Sequence, residues 1–307
     1  MAIEKIGQQT DRLIVAPPER RNAILDLMRS ADHSLLLSMF RCDDFTVVDE
    51  LAAAVRRGVR VRVLITQRAR GWKERLKDLT ALLKSLGADV QPYGNDRMKY
   101  HAKYIIRDEG PALVTTLNFT RKCFENTCDF LVLSEDPGIV ASLKYLFEND
   151  CAEPVLTELP QFTDRLIIGP DHSRQRLTQI LANANSSIRI IDHRVTDPSI
   201  LDLLAEKKRQ GVTVQVVGTG PMGGLICHGR MILIDEKTAI IGSIHLSPPS
   251  LDSRREVAIV VEEPALVAQL YDYFQKLAID ELNLMNLWAA PPIPSPAKDD
   301  EDDEDDE

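Results

Sequence analysis

Short apolar runs alternate with amphipathic stretches in the first part of the chain. The runs at residues 13–15, 35–40 and 59–65 are as apolar as buried strands are. Residues 22–31 and 47–57 instead carry apolar side chains at intervals of three and four, which is the spacing of one helix face. This alternation predicts parallel strand pairing, with the helices on the faces of a sheet.

The same pattern occurs twice. The segment TDRLIVAP at residues 10–17 returns as TDRLIIGP at residues 163–170, and the same displacement of 153 positions aligns RRGVRVRV with RQGVTVQV. Further along, HAKYIIRD at residues 101–108 matches HGRMILID at residues 228–235, where the displacement has fallen to 127. The chain is therefore an internal duplication whose first copy holds 26 extra residues between the two blocks.

Each copy closes in the same way. Apolar runs at residues 104–106, 112–116 and 130–133 are separated only by short turn segments, which predicts antiparallel neighbours in a mixed sheet. A predicted helix ends each copy, at residues 138–149 and at residues 265–277. The predicted fold class is α/β, with two mixed β-sheets flanked by helices around a pseudo-twofold axis.

Domain limits follow from these patterns. The predicted first repeat covers residues 1–155, the second covers residues 156–287, and residues 288–307 form a Pro-rich linker and an acidic tail. Repulsion among the acids predicts that this tail is disordered and solvating, and mimicry of a polyanion over a basic groove is the competing idea. The extra segment of the first copy contains WKERLKDLTALLKSLG, whose regularly spaced leucines predict a packed surface helix.

The composition is that of a soluble globular protein. Hydrophobic residues make up 44% and charged residues 27% of the 307 residues. The formal net charge of −10 comes almost entirely from the nine acids at residues 299–307, without which the chain carries −1. A nearly neutral body has no overall attraction for nucleic acid or anionic lipid, so binding to either requires a local patch.

Cysteine usage and hydropathy argue against several classes of protein. The five cysteines are scattered and contain no C-x-x-C pair, which favours reduced thiols and predicts no metal site. The N-terminal segment lacks the pattern of a signal peptide, and no apolar run reaches the ~18–20 residues of a membrane span. We expect a cytoplasmic protein that needs no cofactor, with peripheral membrane contact left open.

The repeated His motif carries the candidate chemistry. His101 and Lys103 are two residues apart, so they share one face of a strand, and His228 and Arg230 repeat the arrangement. Two such strands at a twofold axis would bring two imidazoles and two cations into one space. One imidazole could then attack phosphorus while the other protonates the departing oxygen, and the cations would neutralise the developing charge.

Supporting polar residues follow each motif. A displacement of 127 aligns Asp129 with Glu256, and a carboxylate at equivalent places in both copies is a candidate to bind the far ring nitrogen of each His. His193 aligns with Phe40 and is a weaker candidate to line the site. Arg121, Lys122, Arg254 and Arg255 follow the two motifs and could extend a basic patch, but they are expected to be solvated loop charges. The candidates for phosphate binding are Thr116, Asn118, Ser243 and His245.

Together these residues resemble the phospholipase D superfamily, which is marked by H-x-K-x4-D followed by a G-S-x-N-type segment. The resemblance runs from about residue 11 to residue 277 and implies an internally duplicated phospholipase D-like fold. It also implies a metal-free, two-step reaction through a covalent phosphohistidine, with water or an alcohol as acceptor. By the resemblance His101 is the nucleophile and His228 the acid/base, while Asp108 and Asp235 complete the catalytic motifs mainly as supports of the strand ends.

Three departures from the family pattern leave the activity open. Arg230 stands in place of Lys, Thr115-Thr116 in place of Gly-Ser, and His245 in place of Asn. The leading hypothesis is a phosphodiesterase or phosphatidyltransferase acting on phospholipid head groups, like the cardiolipin-synthase-like branch of the superfamily. The alternatives are a nuclease or other nucleic-acid phosphodiesterase, which needs a basic groove, and a degenerate module that binds phosphate without cutting.

Overall fold

The computed structural model describes residues 11–95, 98–152, 162–218 and 223–278. The first copy contains β1 (Asp11–Ile14), α1 (Pro17–Arg29), β2 (Ser34–Met39), α2 (Phe45–Arg56), β3 (Arg60–Ile65), α3 (Lys73–Ser85), β4 (Asp89–Pro92), β5 (Lys99–Tyr100), β6 (Tyr104–Arg107), β7 (Ala112–Thr115), α4 (Arg121–Glu125), β8 (Thr127–Cys128), β9 (Leu131–Ser134) and α5 (Pro137–Ala152). The second copy contains β10 (Leu166–Gly169), α6 (Ser173–Ala182), β11 (Ser187–Ile191), α7 (Pro198–Arg209), β12 (Thr213–Val217), β13 (Ile226–Cys227), β14 (Arg230–Ile234), β15 (Thr238–Gly242), α8 (Pro248–Asp252), β16 (Arg254–Val261) and α9 (Pro264–Ala278).

Each copy forms one mixed sheet. The strand order is β1-β9-β7-β6-β2-β3-β4 in the first sheet and β10-β16-β15-β14-β11-β12 in the second. Strands β2, β3 and β4 are parallel, as are β11 and β12, whereas the remaining neighbours in these two orders are antiparallel. The predicted pair of mixed sheets flanked by helices is therefore confirmed, including the change to antiparallel pairing after the His motif.

Local sequence explains why the repeated segments fold alike. Helix α2 begins after Asp44, whose carboxylate accepts the backbone N–H of Thr46 at 3.0 Å, and α7 begins after Asp197, whose carboxylate accepts the N–H of Ile200 at 3.1 Å. Gly58 and Gly211 follow these helices, and both have φ of 90°. A residue with a side chain rarely adopts this conformation, so glycine is required where the backbone of each copy leaves its helix for the next strand.

Three clusters of buried apolar side chains hold the layers together. The central cluster joins one face of each sheet through the closing helices α5 and α9, with Leu143, Phe147, Leu270 and Phe274 among its members. Separate clusters pack α1, α2 and α3 on the outer face of the first sheet, and α6 and α7 on that of the second. The predicted surface helix in the extra segment is α3, which buries Leu76, Leu79 and Leu83 and so confirms the prediction of a packed helix.

Two short strand pairs connect the copies directly. Strand β5 of the first copy pairs in parallel with β16 of the second, and β8 of the first pairs in parallel with β13 of the second. These two-residue pairings were not predicted, because segments so short carry no periodicity. The predicted limits at 155/156 and 287/288, and the acidic tail, lie outside the described residues.

The described residues contain no helix that is long and apolar enough to cross a membrane.

The two motif aspartates lie where a strand ends. Asp108 has φ of 47°, and its carboxylate accepts the backbone N–H groups of Asp32, His33 and Ser34 at 2.7–3.1 Å. In the second copy, Asp235 has φ of 53° and accepts the equivalent three N–H groups, at residues 185–187. Each carboxylate therefore ties the end of its strand to the segment that enters the neighbouring strand.

We expect Asp235→Ala to lower the free energy of unfolding by roughly 2 kcal/mol, because three backbone donors lose a charged acceptor and alanine is strained at this positive φ. Urea denaturation followed by circular dichroism measures the change. Asp202→Ala, on the exposed side of α7, is the control and should leave stability within about 0.5 kcal/mol of the wild type. Equal stability of the two variants would contradict this role for Asp235.

Candidate active site

Strand pairing between the copies brings the two His motifs together. His101 follows β5, and its backbone N–H donates to the carbonyl of Arg255 in β16 at 2.9 Å. His228 follows β13, and the next residue, Gly229, donates its N–H to the carbonyl of Cys128 in β8 at 2.6 Å. A side chain at Gly229 would collide with that backbone, since a Cβ at this position would lie 2.6 Å from the Cys128 oxygen. Each motif is thus held against the other copy.

Each of the two imidazoles pairs with a carboxylate of the other copy. His101 Nδ1 lies 2.8 Å from Glu256 Oε1, and His228 Nδ1 lies 2.9 Å from Asp129 Oδ1. Both carboxylates are fully buried, and the two His residues are only 9% and 8% exposed. The sequence repeat identifies the four positions but cannot say which carboxylate faces which His. Neither half of this site is complete within one copy.

Electrostatics place the two imidazoles in opposite states. Burial, reinforced by the positive charges of Lys103 and Arg230, lowers the pKa of His101 well below its ordinary value. Burial also acts to lower the pKa of His228, but the Asp129 carboxylate and then the Cys123 thiol group outweigh it and raise this pKa to about 9. Near pH 7 one imidazole is therefore neutral and the other carries a proton on both ring nitrogens.

The partners also fix the tautomer of the neutral imidazole. In its ionised form the Glu256 carboxylate accepts and does not donate, so the proton of His101 then resides on Nδ1 and the Nε2 lone pair remains available. Burial raises the pKa of Glu256 to about 7, against the effect of Arg254. Ser250 donates its hydroxyl to the second oxygen of Glu256 and so steadies the carboxylate.

The cation of the first motif lies directly beneath the nucleophile candidate. Lys103 Nζ donates to the carbonyl of His101 at 3.0 Å and lies 5.1 Å from the centroid of the Phe40 ring. Burial, followed by the charge of Arg230, lowers the pKa of Lys103 well below its ordinary value. An anionic phosphate beside this amine would act in the opposite direction, because a negative neighbour favours the ammonium form.

The cation of the second motif is held differently. Arg230 Nε donates to His245 Nε2 at 2.8 Å, and Nη2 contacts the same ring nitrogen. His245 Nδ1 lies 2.6 Å from Asp192 Oδ1. Arg230 Nη1 is buried and has no hydrogen-bond partner within the described part of the chain. An unpartnered guanidinium nitrogen beside two imidazoles is suited to binding an anion.

The other predicted phosphate-binding residues divide into two groups. Asn118 Nδ2 lies 3.5 Å from His228 Nε2, and its buried Oδ1 has no hydrogen-bond partner among the described residues. The hydroxyl of Thr116 donates to Asp129 and accepts the N–H of Phe130, while Ser243 accepts the N–H of Val257. The two hydroxyl residues thus contact the neighbouring strands, and phosphate binding by all four residues stays a prediction.

Sequence reasoning missed several residues and misplaced two. Asp192 has no signal in the repeat, because the aligned residue of the first copy is Met39. The expectation of solvated charges at Arg254 and Arg255 is wrong, since both lie on β16 and are buried. Arg255 donates from Nε to Asp150 at 3.0 Å, which joins the end of α5 to the second copy. His193, the weaker candidate, contacts the His245 ring edge to face at 4.9 Å.

Two groups of side chains are close enough to share a metal ion. They are Cys123, Asp129 and His228, and Asp192, His193 and His245. In the second group the Arg230 guanidinium contacts His245, and its positive charge would oppose a cation there. In the first group a metal would have to displace a proton from His228, whose Nδ1 already pairs with Asp129. The predicted absence of a metal stays a prediction.

A duplicated fold with two imidazoles on one shared site is the architecture of phospholipase D-like proteins. A family model described as "Cardiolipin synthase, PLD-like domain" matches residues 24–151 and 217–278. The chain therefore belongs to the phospholipase D-like domain family, within a superfamily of phosphotransferases and phosphodiesterases.

Known proteins resemble the chain at low identity. A polyphosphate kinase from Mycolicibacterium gilvum is 27% identical over an alignment 274 positions long, which covers 76% of this chain and 36% of that protein. The chain spans 36–39% of the length of such curated relatives. Polyphosphate kinase from Porphyromonas gingivalis superposes with a TM-score of 0.72 at 17% identity, over 89% of this chain and 48% of that one. Phosphatidylserine synthase from Haemophilus influenzae superposes with a TM-score of 0.70 at 11% identity, over 87% and 86%. These similarities show the fold.

We expect Asp129→Asn to move the pKa of His228 downward, past its ordinary value, because burial then acts without the opposing negative charge. Titration of the His228 ring by NMR from pH 5 to pH 10 measures the shift. The control is His172, whose pKa is lowered mainly by burial and should be the same in both proteins. An unchanged pKa for His228 would show that Asp129 does not set its protonation state.

Proposed function

We propose that the chain is a phosphodiesterase or phosphatidyltransferase of the phospholipase D type, acting through a covalent phosphohistidine on His101. The observation that carries the proposal is the pairing of a neutral His101 with a protonated His228 at one site. A nucleophile must offer a lone pair and a general acid must hold a proton, so the opposite pKa shifts of the two His residues support this assignment of roles.

In the first step, His101 Nε2 attacks the phosphorus atom of the substrate. The P–N bond forms, the P–O bond to the leaving group breaks, and the departing oxygen takes the bond pair together with the proton of His228 Nε2. Glu256 stabilises the positive charge that develops on the His101 ring. Lys103 and Arg230 neutralise the charge on the non-bridging oxygens.

In the second step, the now neutral His228 removes a proton from water or an alcohol. The resulting nucleophile attacks phosphorus, the P–N bond breaks, and His101 recovers its lone pair. Asp129 holds the proton of His228 Nδ1 in both steps, which keeps Nε2 directed to the proton in transit. Water as acceptor gives hydrolysis, and an alcohol gives transfer.

Phospholipid is the favoured substrate. The description of the family to which the chain belongs names a phospholipid-synthesising enzyme, cardiolipin synthase. In addition, the chain without its acidic C-terminal run is nearly neutral, which disfavours nonspecific binding of a polyanion. Nucleic acid is less favoured on the same ground of charge. The noncatalytic alternative predicts that the motif His residues contribute to phosphate binding only.

A second candidate is phosphoryl transfer involving a chain of phosphates, since the curated relatives are named polyphosphate kinase. A specific feature favours it. The cations Arg41, Lys99 and Lys103 lie 5.1–5.9 Å from the centroid of the Phe40 ring, which itself contacts the His101 ring at 4.6 Å. Three cations beside the nucleophile suit a substrate with several negative charges.

We expect His101→Asn and His228→Asn each to reduce kcat on an activated phosphodiester by at least ~10³-fold, in the presence of a chelator. The two variants should differ in one respect. An activated leaving group needs little protonation, so His228→Asn should still form the phosphohistidine and accumulate it, whereas His101→Asn should not. Intact-protein mass spectrometry detects the adduct. The matched control is His33→Asn, which should retain wild-type kcat.

The same preparations separate the substrate classes. Release of a head group from phospholipid vesicles, shortening of polyphosphate, and cleavage of single-stranded DNA are measured in parallel at the same enzyme concentration. Vesicle turnover that His101→Asn abolishes would support the leading candidate, and turnover of polyphosphate alone would replace it with the second. A wild-type rate that neither His substitution changes would refute the catalytic site. Loss of all activity in the wild type on addition of chelator would refute the metal-free step.

The pH profile follows from three pKa shifts. His228 must be protonated and Glu256 ionised while His101 is neutral, so kcat/KM should fall below pH about 7, as Glu256 takes up a proton, and above pH about 9, as His228 loses its proton. Asp129→Asn should move the alkaline limb to lower pH, because it lowers the pKa of His228. An alkaline limb that this substitution leaves in place would assign that limb to another group, such as Lys103.

A further inference from the structure

The two departures from the family pattern in the second copy are in direct contact. Arg230 begins β14, and His245 follows β15, its antiparallel neighbour, in which Gly242 is the register partner of Arg230. Arg230 donates Nε to the His245 ring at 2.8 Å, and Nη2 contacts the same nitrogen. The sequence shows these as two separate substitutions, but in the fold they form one interaction.

The direction of these hydrogen bonds fixes the state of His245. Arginine only donates, so His245 Nε2 must carry a lone pair and Nδ1 the proton that faces Asp192 at 2.6 Å. Burial, followed by the charge of Arg230, lowers the pKa of His245 well below its ordinary value, against the opposing effect of Asp192. Two further titratable neighbours are His193, whose ring contacts that of His245 edge to face, and His101, which interacts with it electrostatically. A neutral His245 therefore accepts from Arg230 across the neutral pH range.

Asp192 is itself held rigidly. It follows β11, whose last residue is the register partner of Met231. Its carboxylate therefore lies at the end of β11 that is next to Arg230, the first residue of β14. One oxygen accepts the N–H of Arg194 at 2.9 Å, and the other accepts the N–H of Leu246 at 3.1 Å. With two backbone donors fixing the carboxylate, the His245 ring has one orientation in which it can donate.

We propose that Asp192 and His245 are positioning residues that hold the Arg230 guanidinium so that its remaining nitrogen, Nη1, contacts the phosphate during transfer. The inference rests on the proposed function. Nε and Nη2 are occupied by His245, while Nη1 is buried without a hydrogen-bond partner among the described residues. A planar guanidinium fixed at two nitrogens has a fixed direction for the third.

The first copy has no such device at the equivalent positions. Met39 aligns with Asp192, and Asn118 with His245, while the equivalent cation, Lys103, donates to the carbonyl of His101 instead. A lysine ammonium on a flexible stem can follow the phosphorus atom as it moves toward His101. The second copy therefore supplies the fixed contact to the phosphate, and the first supplies the adjustable charge.

A double-mutant cycle tests the proposal, with wild type, His245→Leu, Arg230→Lys and the double variant. We expect His245→Leu to lower kcat/KM by roughly 100-fold, since a misplaced positioning group costs about that much, and to raise the inhibition constant of inorganic phosphate about tenfold. In the Arg230→Lys background the same substitution should cost less than about threefold, because no guanidinium remains to be positioned. Equal costs in the two backgrounds would overturn the proposal.

A conservative variant separates positioning from packing. His245→Gln keeps an acceptor that can reach Arg230, whereas His245→Leu keeps a similar volume without one. We expect Gln to recover at least about tenfold of the kcat/KM lost with Leu, while thermal melting shows both variants folded. If Leu prevents folding, the comparison of His245→Gln with His245→Ala replaces it. Equal kcat/KM in the variants with and without the acceptor would overturn the proposal.

Binding of inorganic phosphate distinguishes failure of the inference from failure of the proposed function. Phosphate should raise the melting temperature of the wild type, and this shift should shrink in His245→Leu and in Arg230→Lys but not in His33→Asn. A wild type that shows this pattern without turnover would refute the proposed function and retain only the positioning of Arg230 for phosphate binding. Normal turnover of the wild type, with additive effects of the His245→Leu and Arg230→Lys substitutions, would retain the proposed function and refute the inference. A wild type with neither turnover nor a phosphate shift would overturn both.

Discussion

The site depends on the two His–carboxylate pairs, each of which joins a His of one copy to a carboxylate of the other. His101 of the first copy is held by Glu256 of the second, and His228 of the second by Asp129 of the first. All four groups are buried in the assembled chain, where a carboxylate or imidazole without its partner would be costly. The two-residue strand pairs between the copies lie directly beside these residues, so the contacts that join the copies also assemble the site.

A repeated motif would give two equal imidazoles if its surroundings were also repeated. They are not, because the cations of both motifs act on His101, whereas His228 lies beside the Asp129 carboxylate and the Cys123 thiol. The same sequence element therefore yields a neutral ring in one copy and a protonated ring in the other. The difference in protonation between the two His residues arises from the neighbours of each ring, and the duplication supplies only the positions.

The hydrophobic pattern and the repeat predicted the two mixed sheets, their flanking helices and the positions of the motif residues. They succeed because strands and helices of ordinary length bury apolar faces at regular intervals. The pattern could not supply β5, β8 and β13, which are too short to show a period and exist because another copy lies alongside. It also failed for Asp192, since its aligned residue in the first copy is apolar, and for Arg255, whose burial depends on a buried partner, Asp150, more than 100 positions away. These features depend on contacts between the two copies, which the periodicity of a single segment does not show.

The substitutions in the second motif show how that motif can change without losing its charge. Replacing Lys by Arg at position 230 adds N–H donors to a buried site, and a buried donor without an acceptor is destabilising. A neutral imidazole at position 245 accepts from two guanidinium nitrogens, and the carboxylate at position 192 keeps that imidazole in the accepting tautomer. Without the imidazole, the two guanidinium nitrogens that it accepts from would lose their hydrogen-bond partner in a buried site, which is destabilising. The two departures at positions 230 and 245 therefore compensate each other physically, although the sequence shows them as separate substitutions.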